Sequence, residues 1–168
     1  MPVPTIPEQI SPVRLGDYLE VMTRAVFQAG LSWQMIAERW DAFREGFCGF
    51  DVDRVATFDE GDIDRLMTMD GILHSSRKIR ATVKNAQVML ELDRRPGGFA
   101  AYLRSFPGYT AFATDFRRRF KFMGEMNVWY FLFCVSEPVP KFESWVKTIS
   151  GDHPRMREMV EQARKRPC

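Results

Sequence analysis

Apolar residues recur at intervals of three and four along most of the chain, which is the period of amphipathic helices rather than of strands. Near the start, Ser11-Pro12 is a typical helix-start pair, and an apolar stripe follows it until Gly30 ends the helix. The stripe consists of Leu15, Leu19, Met22, Ala25 and Val26. Ser32 then predicts the cap of a second helix, whose apolar face begins with Trp33.

The same pattern continues in the rest of the chain. Asp59 predicts the start of a short helix, and Ser75 or Ser76 predicts the cap of a long one that ends at Pro96. Downstream, "RRRFKFMGEMNVWYFLF" indicates a helix, a tight hairpin at Gly124 and a second helix, together about residues 110–136. That second helix is apolar nearly all round, so we expect it to be central and buried. With strand signals almost absent, the sequence predicts an all-α fold.

Composition places the chain among globular proteins. Its 168 residues, 45% hydrophobic and 27% charged, fit one helical domain spanning residues 1–168. The apolar run "NVWYFLFCV" is too short to span a bilayer, so we expect no membrane association. Three cysteines without a CxxC pair and only two histidines disfavour a zinc site, and we expect no metal or cofactor. An odd cysteine count without a signal peptide is typical of a reducing cytoplasm.

Charge is unevenly distributed although the net charge is only +2. Arg117–Arg119 and Lys121 adjoin the hairpin, and a second basic group lies at residues 77–80. A helix that starts after a tight turn presents unpaired backbone N–H groups, which can hold a phosphate without any side chain. Charge and backbone therefore both indicate a DNA phosphate at this hairpin. An ordinary helical hairpin with solvated charges is the alternative.

One carboxylate lies within an otherwise apolar and aromatic segment. It is Glu143, in "VPKFESWV", about twenty residues after the hairpin glycine. A carboxylate near an apolar pocket can activate water or stabilise a cationic sugar transition state. The alternative is a surface glutamate in a short helix. Tryptophans such as Trp33 can stack on a base, although tryptophans at helical spacing also build cores.

Three segments, in order, resemble the DNA-3-methyladenine glycosylase I family of the helix-hairpin-helix DNA glycosylase superfamily. They are "QAGLSW", "GILHSSRKIRATVKNAQ" and "RRFKFMGEMNVWYFLF", and the resemblance covers about residues 15–135. It implies an all-helical, two-lobed bundle with a cleft. Into that cleft a damaged purine is flipped out of double-stranded DNA, and its N-glycosidic bond is hydrolysed there.

The resemblance also implies roles for particular residues. Gly30 and Leu31 match the wedge that fills the vacated base stack, and Trp33 matches a tryptophan of the base pocket. Gln28 and Phe27 complete the expected pocket. The expected DNA-backbone contacts are Arg77, Lys78, Arg118, Lys121, Phe122 and Gly124. Glu143 is the carboxylate nearest to the place of the superfamily's catalytic aspartate.

Departures from the family pattern refine this interpretation. Bifunctional relatives carry a lysine two residues after the hairpin glycine, where this chain has Met126, so a monofunctional reaction with water is expected. The family's base-recognising glutamate stands eight residues before the motif tryptophan, and here that residue is Ala25. The chain starts "MPVPTIPEQISP" and ends "ARKRPC", without the Cys, Trp and His pattern of the family's zinc site.

Three hypotheses follow. The leading one is a monofunctional DNA repair glycosylase that removes an alkylated, 3-methyladenine-like purine, with damaged double-stranded DNA as its partner and no obligate protein partner. The second is a DNA-binding protein that kept the grip on DNA and lost the chemistry, which Ala25 favours. The third is a glycosylase-like scaffold that serves an unrelated interaction.

Overall fold

The computed structural model describes residues 6–165, and within that range it contains helices and turns but no strand. The prediction of an all-α fold is confirmed. The helices α1 to α11 are, in chain order, Leu15–Gln28, Trp33–Glu38, Trp40–Gly46, Val52–Ala56, Glu60–Thr68, Ser76–Asp93, Gly98–Leu103, Tyr109–Arg119, Glu125–Cys134, Phe142–Trp145 and Pro154–Lys165. None of the helices in residues 6–165 is long and apolar enough to cross a membrane.

Side-chain caps start three helices where the sequence predicted them. The side chains of Ser32, Asp59 and Ser75 each accept a hydrogen bond from a backbone N–H in the first turn of α2, α5 and α6 respectively. Such bonds satisfy N–H groups that have no partner within the helix. The capping prediction therefore holds at all three positions.

The start of α1 differs from the expectation that it follows Ser11-Pro12 directly. The helix begins at Leu15, because the Asp17 carboxylate accepts hydrogen bonds from the backbone N–H groups of Val13 and Arg14, at 2.9 and 3.1 Å. Asp17 thus fixes the first turn from inside the helix, and Pro12 remains in the extended segment before it.

Helices α1, α6 and α9 organise the core. Helix α6 packs against α1, α4, α5 and α7, while α1 also packs against α9. As predicted, α9 is buried along most of its length, from Val128 to Leu132 and again at Cys134. One continuous cluster of buried apolar side chains joins these helices.

Helix α6 also holds two loops of the chain, through two side chains that lie seven residues apart on it. Lys78 bonds to backbone carbonyls where α1 ends, and Asn85 bonds to the backbone between α8 and α9. Seven residues of α-helix separate the two contacts by about 10 Å. The spacing between the α1–α2 turn (residues 28–33) and the α8–α9 hairpin (residues 120–124) is therefore set by one rigid element.

Candidate active site and nucleic-acid interface

The α1–α2 turn projects Leu31 from the protein surface. Gly30 has a φ of +76°, and the Leu31 N–H donates to the Gln28 carbonyl at 3.0 Å. A Cβ at Gly30 would meet no atom within 4 Å, so the backbone conformation rather than space requires glycine here. The Leu31 side chain is 40% exposed, which is unusual for leucine in this fold. The geometry fits the predicted wedge.

Lys78 fastens this turn to α6. Its ammonium donates to the carbonyls of Ala29, at 3.0 Å, and Phe27, at 3.5 Å. Burial lowers the pKa of Lys78, because the charged form loses solvent there. The ammonium that the sequence assigned to DNA phosphate is thus directed at protein carbonyls in this structure.

A cavity of about 330 Å³ opens beside the turn. Trp33 and Tyr130 form its aromatic wall and meet edge to face, with ring centroids 5.7 Å apart. The other lining residues are Gln28, Ala29, Gly30, Met126, Asn127, Asp152, His153, Pro154, Arg155 and Met156. The volume is within the range of small-molecule sites, and a planar base fits against such a wall. The structure thus brings Trp33, Gln28 and Gly30 together, as the sequence predicted.

Phe27 does not line this cavity. Its side chain is fully buried and packs edge to face against Phe43, with centroids 4.8 Å apart. Adjacent residues of a helix point about 100° apart, so Gln28 faces the cavity while Phe27 faces the core. Phe27 is a core residue, and the expectation that it contributes to the base pocket is corrected.

Glu143 also lies away from the cavity. It lies in the first turn of α10, and its exposed carboxylate accepts a hydrogen bond from the Arg164 guanidinium at 2.5 Å. The hydrogen bond from Arg164 lowers the pKa of Glu143 to about 2. The cavity wall contains a different carboxylate, Asp152, which precedes α11 and lies 3.6 Å from Arg157. Sequence reasoning missed Asp152, because nothing local signals that residues 152–156 fold back onto Trp33.

In the α8–α9 hairpin, the Asn85 side chain binds both backbone hydrogen-bonding groups of Lys121. The Asn85 side chain accepts from the Lys121 N–H at 2.7 Å and donates to the Lys121 carbonyl at 3.1 Å. Asn127 donates to the Phe122 carbonyl at 2.8 Å. These bonds hold Phe122 at a φ of +57°, with its ring 37% exposed. Both ends of the hairpin tip are thereby fixed.

Gly124 caps α9 and leaves its N-terminus open. Its φ of −78° is available to any residue, and a Cβ would meet no atom within 4 Å. Neither backbone conformation nor packing within the protein therefore explains glycine here. The absence of a side chain leaves the N–H groups at the start of α9 accessible to an anion.

Cationic side chains border the hairpin along α6. An open groove is lined by Arg77, Arg80, Ala81, Lys84, Lys121 and Phe122. The Arg77 guanidinium lies over the Phe122 ring, 5.6 Å from its centroid. Lys84 was missed by the sequence analysis, although it stands two helical turns after Arg77, the spacing that puts both on one face.

Several basic residues near the hairpin are already paired with carboxylates, among them Arg117 with Glu125 and Arg119 with Asp115. Arg80 forms a two-bond contact with Glu60, at 2.5 and 2.8 Å. Arg118, an expected DNA contact, donates to Asp115 at 2.7 Å. Arg77, Lys84 and Lys121 form no ion pair with any residue in the described range. These three cations of the groove are therefore available to bind a phosphate backbone.

Metal-ligating groups do not cluster in the described part of the chain. Residues 6–165 contain no group of three or more His, Cys, Asp or Glu side chains placed to hold a metal ion. Cys168 lies outside the described residues.

An exposed leucine at a glycine turn beside an aromatic cavity, with a cationic helix-hairpin-helix at a fixed distance, is typical of the helix-hairpin-helix DNA glycosylase class. The model of the methyladenine glycosylase family matches residues 16–127. The chain therefore belongs to that family. The match ends before Tyr130 and Asp152, so part of the cavity wall lies beyond the matched stretch.

Curated relatives and solved structures agree with this assignment. The chain is 32% identical to DNA-3-methyladenine glycosylase of Haemophilus influenzae over 88 residues, which are 52% of this chain and 48% of the relative. It is 34% identical to DNA-3-methyladenine glycosylase 1 of Escherichia coli over 79 residues, 47% of this chain and 42% of the relative. The matches thus span under half the length of these two relatives.

The structural likeness extends further along the chain. A variant of 3-methyladenine DNA glycosylase I solved with 3-methyladenine superposes with a TM-score of 0.66 at 27% identity, over 76% of this chain and 80% of that one. The Staphylococcus aureus 3-methyladenine DNA glycosylase I gives a TM-score of 0.65 at 27% identity, over 76% and 79%. The predicted glycosylase type of all-α fold is confirmed.

Proposed function

We propose that this protein is a DNA repair N-glycosylase that removes an alkylated purine from double-stranded DNA by base flipping and monofunctional hydrolysis. One observation carries the proposal: Gly30, at the wedge, lines the same cavity as Trp33. A nucleotide displaced by Leu31 would therefore have a pocket of suitable size within immediate reach. An enzyme cannot reach a glycosidic bond inside stacked DNA, so wedge and pocket must adjoin.

DNA binding is assigned to the other turn. Phosphate would be held by the open start of α9 at Gly124 and by the three unpaired cations of the groove, Arg77, Lys84 and Lys121. Contacts of this kind fix the register of the protein on the duplex without reading its sequence. Because α6 anchors both turns, the gripped phosphates would lie at a constant distance from the flipped base.

Hydrolysis of this N-glycosidic bond needs little catalytic assistance, because a cationic base is already a good leaving group. The C1′–N bond breaks with its electron pair leaving on the base, and an alkylated cationic base departs as a neutral molecule. Water then bonds to C1′ and loses a proton, which leaves an abasic site. A cationic base also stacks favourably on the Trp33 indole. Met126 lines the cavity where bifunctional relatives carry a lysine, so no amine is present there to form a Schiff base.

A carboxylate near the sugar would stabilise its developing positive charge. We assign this role to Asp152, which lines the cavity, rather than to Glu143, which pairs with Arg164 outside it. This assignment replaces the catalytic role expected for Glu143 from its spacing along the chain. Because both carboxylates belong to this chain, the effects of substituting each on base release can be compared directly.

The decisive measurement is release of methylated bases from methylated duplex DNA, resolved by chromatography. The wild-type protein should release base and leave abasic sites without cutting the strand. Asp152→Asn should lower the single-turnover rate roughly 10- to 100-fold, as loss of a charge stabiliser does, while Glu143→Gln should leave it within about twofold. Equal effects of the two substitutions would refute the role of Asp152, and no release of any methylated base would refute the enzyme.

A DNA-binding protein without chemistry is the second candidate. It is favoured by Ala25, which is buried in the core and offers no polar group where the family has glutamate. This candidate would bind duplex DNA with a steep salt dependence and release no base from any methylated substrate. Either function requires the compartment that holds the chromosome, which is the cytoplasm in bacteria such as those of the two curated relatives.

A further inference from the structure

Asn127 contributes to both the cavity and the α8–α9 hairpin. It lies in the first turn of α9 and lines the cavity together with Met126 and Tyr130. Residues three and four apart share one face of a helix, so this face of α9 is turned toward the cavity. The side-chain nitrogen of Asn127 donates to the carbonyl of Phe122 at the hairpin tip, at 2.8 Å. One side chain thus joins the two regions directly.

The hydrogen bond to Phe122 fixes the orientation of the Asn127 amide. A backbone carbonyl only accepts hydrogen bonds, so the amide group that faces it is the NH₂ group rather than the oxygen. The side-chain oxygen therefore points away from that carbonyl. It forms no hydrogen bond within residues 6–165, and it is not one of the buried polar atoms of that range that lack a partner. An accessible acceptor of fixed orientation is left beside the cavity.

The carbonyl that holds Asn127 is itself well fixed. Asn85 binds both backbone groups of the preceding residue, Lys121, at 2.7 and 3.1 Å. Arg77 lies over the Phe122 ring, 5.6 Å from its centroid. Asn85 and Arg77 both belong to α6, the helix that also holds the α1–α2 turn. The orientation of the Asn127 oxygen is therefore set by the same rigid helix that fixes the other wall of the cavity.

The connection to the hairpin distinguishes Asn127 from the polar residues at the start of α11. The side chains of Asp152, His153 and Arg155 also line the cavity, but they bond to partners within residues 150–158. Gln28, on the α1 side, is only 4% exposed. An acceptor on Asn127 is thus positioned relative to the segment assigned to the DNA backbone.

We propose that Asn127 recognises the flipped base: its side-chain oxygen accepts a hydrogen bond from a donor on the base edge, such as an exocyclic amino group, in an orientation set by the hairpin. The inference rests on the proposed function and names a specificity-determining residue of that site. A base with an N–H group at this edge pairs with the oxygen. A base without one leaves the oxygen unpaired once water is excluded, which disfavours binding.

Two free bases test this recognition without requiring catalysis. 3-Methyladenine and 3-methylpurine carry the same alkyl group and differ in the exocyclic amino group, which 3-methylpurine lacks. The wild-type protein should bind 3-methyladenine about three- to tenfold more tightly in calorimetry, the contribution of one hydrogen bond. The ratio of the two affinities is the readout, because a general loosening of the cavity would weaken both bases together.

Asn127→Leu removes both polar groups of the side chain at similar size. It should weaken binding of 3-methyladenine and bring the ratio of affinities to about one. Gln87→Leu is the matched control, since the Gln87 amide likewise donates to a backbone carbonyl, that of Ala56 at 3.0 Å, but lies outside the cavity. The control should keep the wild-type ratio.

Asn127→Asp separates the two ends of the amide. A carboxylate still accepts from the base but cannot donate to the Phe122 carbonyl. The variant should therefore keep the preference for 3-methyladenine. It should also lower affinity for duplex DNA, because a negative charge then lies in the first turn of α9, beside the start of the helix that is assigned to phosphate.

Equal binding of the two bases by the wild-type protein, or an unchanged ratio in Asn127→Leu, would overturn the inference. Release of methylated base from duplex DNA reports separately on the proposed function. If base is released while the ratio stays unchanged in Asn127→Leu, the inference falls and the enzyme stands. If neither base is bound and none is released from methylated duplex, both proposals fall.

Discussion

The α1–α2 turn and the α8–α9 hairpin are held by the same helix but are built differently. The hairpin is fixed by Asn85 through both hydrogen-bonding groups of one residue, and cations of its own neighbourhood surround it. The α1–α2 turn is tied by the Lys78 ammonium and opens onto a cavity whose far wall is residues 152–156. The proposed DNA grip thus depends on the hairpin and α6, both within the stretch that the family model matches, whereas the proposed base pocket also depends on residues 152–156, which lie beyond it.

This difference gives the two regions separate observables. Changes at the hairpin should alter affinity for any duplex, because phosphate contacts carry no base information. Changes at the turn and cavity should alter the release of damaged bases while affinity for undamaged duplex stays nearly constant. The following variants test that separation. A variant of one region that changed the observable assigned to the other region would contradict it.

Trp33→Ala should have the largest effect. Stacking a base on an aromatic ring contributes about 1–3 kcal/mol, which corresponds to a loss of roughly 5- to 150-fold in the single-turnover release of methylated base. Affinity for undamaged duplex, measured by fluorescence anisotropy, should change less than about twofold. Trp33→Phe keeps a ring and should recover part of the rate. A parallel fall in affinity for undamaged DNA would contradict the separation of the two regions.

Asn85→Ala should show the converse pattern. Asn85 is buried, and its loss leaves the N–H and carbonyl of Lys121 without their partner, at a cost of about 1–3 kcal/mol in the free energy of unfolding. Urea denaturation measures that cost, and anisotropy should show a loss of duplex affinity of about tenfold from the loosened hairpin. Gln87→Ala is the control, since its amide bonds to Ala56 on the other side of α6. Unchanged DNA affinity in Asn85→Ala would show that the hairpin does not carry the grip.

Much of the fold could be predicted from the sequence because it depends on local rules. The caps at Ser32, Asp59 and Ser75, the break at Gly30 and the buried α9 all follow from residues within one or two turns of each other. The hairpin was predicted for the same reason, whereas Arg77 and Lys84 reach it only through the packing of α6. Lys84 could have been found too, since helical spacing from Arg77 places it on the same face.

The cavity could be predicted only in part. Trp33 and Gln28 line it as expected, whereas Phe27 faces the core, because adjacent residues of a helix point about 100° apart. Asp152 and Tyr130 enter the cavity through tertiary packing, which no spacing along the chain reveals. Glu143 is the converse case, since its sequence distance from Gly124 suits a catalytic role, whereas its carboxylate pairs with Arg164 outside the cavity.

Lys78→Met should have an intermediate effect and decides between two roles. If the ammonium positions the α1–α2 turn, release of methylated base should fall about three- to tenfold, which corresponds to the roughly 1 kcal/mol net contribution of one hydrogen bond, with duplex affinity nearly unchanged. If Lys78 instead contacts phosphate, affinity and its salt dependence should fall together. Lys78→Arg tests whether a longer cation can still reach the Ala29 carbonyl. Whether base release or duplex affinity changes thus shows which of the two regions Lys78 serves.

Lys84→Ala should have a smaller effect, on DNA affinity alone. Its charge is unpaired in the groove beside the hairpin, so its removal should lower the slope of log affinity against log salt concentration by about one. Arg80→Ala, from the same groove, is the matched comparison. Arg80 is already paired with Glu60, and its loss should change the slope less. Equal changes for the two residues would show that the Glu60 pair dissociates when DNA binds.

Asp115→Asn should have the smallest effect on base release and duplex affinity, and an effect on stability that depends on pH. Burial opposes ionisation of Asp115, but hydrogen bonds from Arg119, Tyr102 and Arg118 outweigh it and lower the pKa to about 2. Because this pKa lies below the unfolded value of about 3.9, the stabilisation is complete above that value and is lost as pH falls toward the folded pKa. Urea denaturation should therefore show a difference between wild type and variant that is constant from about pH 5 to 7 and shrinks between about pH 4 and 2. Trp33→Ala, which changes no titrating group, should show no such dependence of stability on pH. The same acid dependence in both variants would mean that ionised Asp115 is not its source.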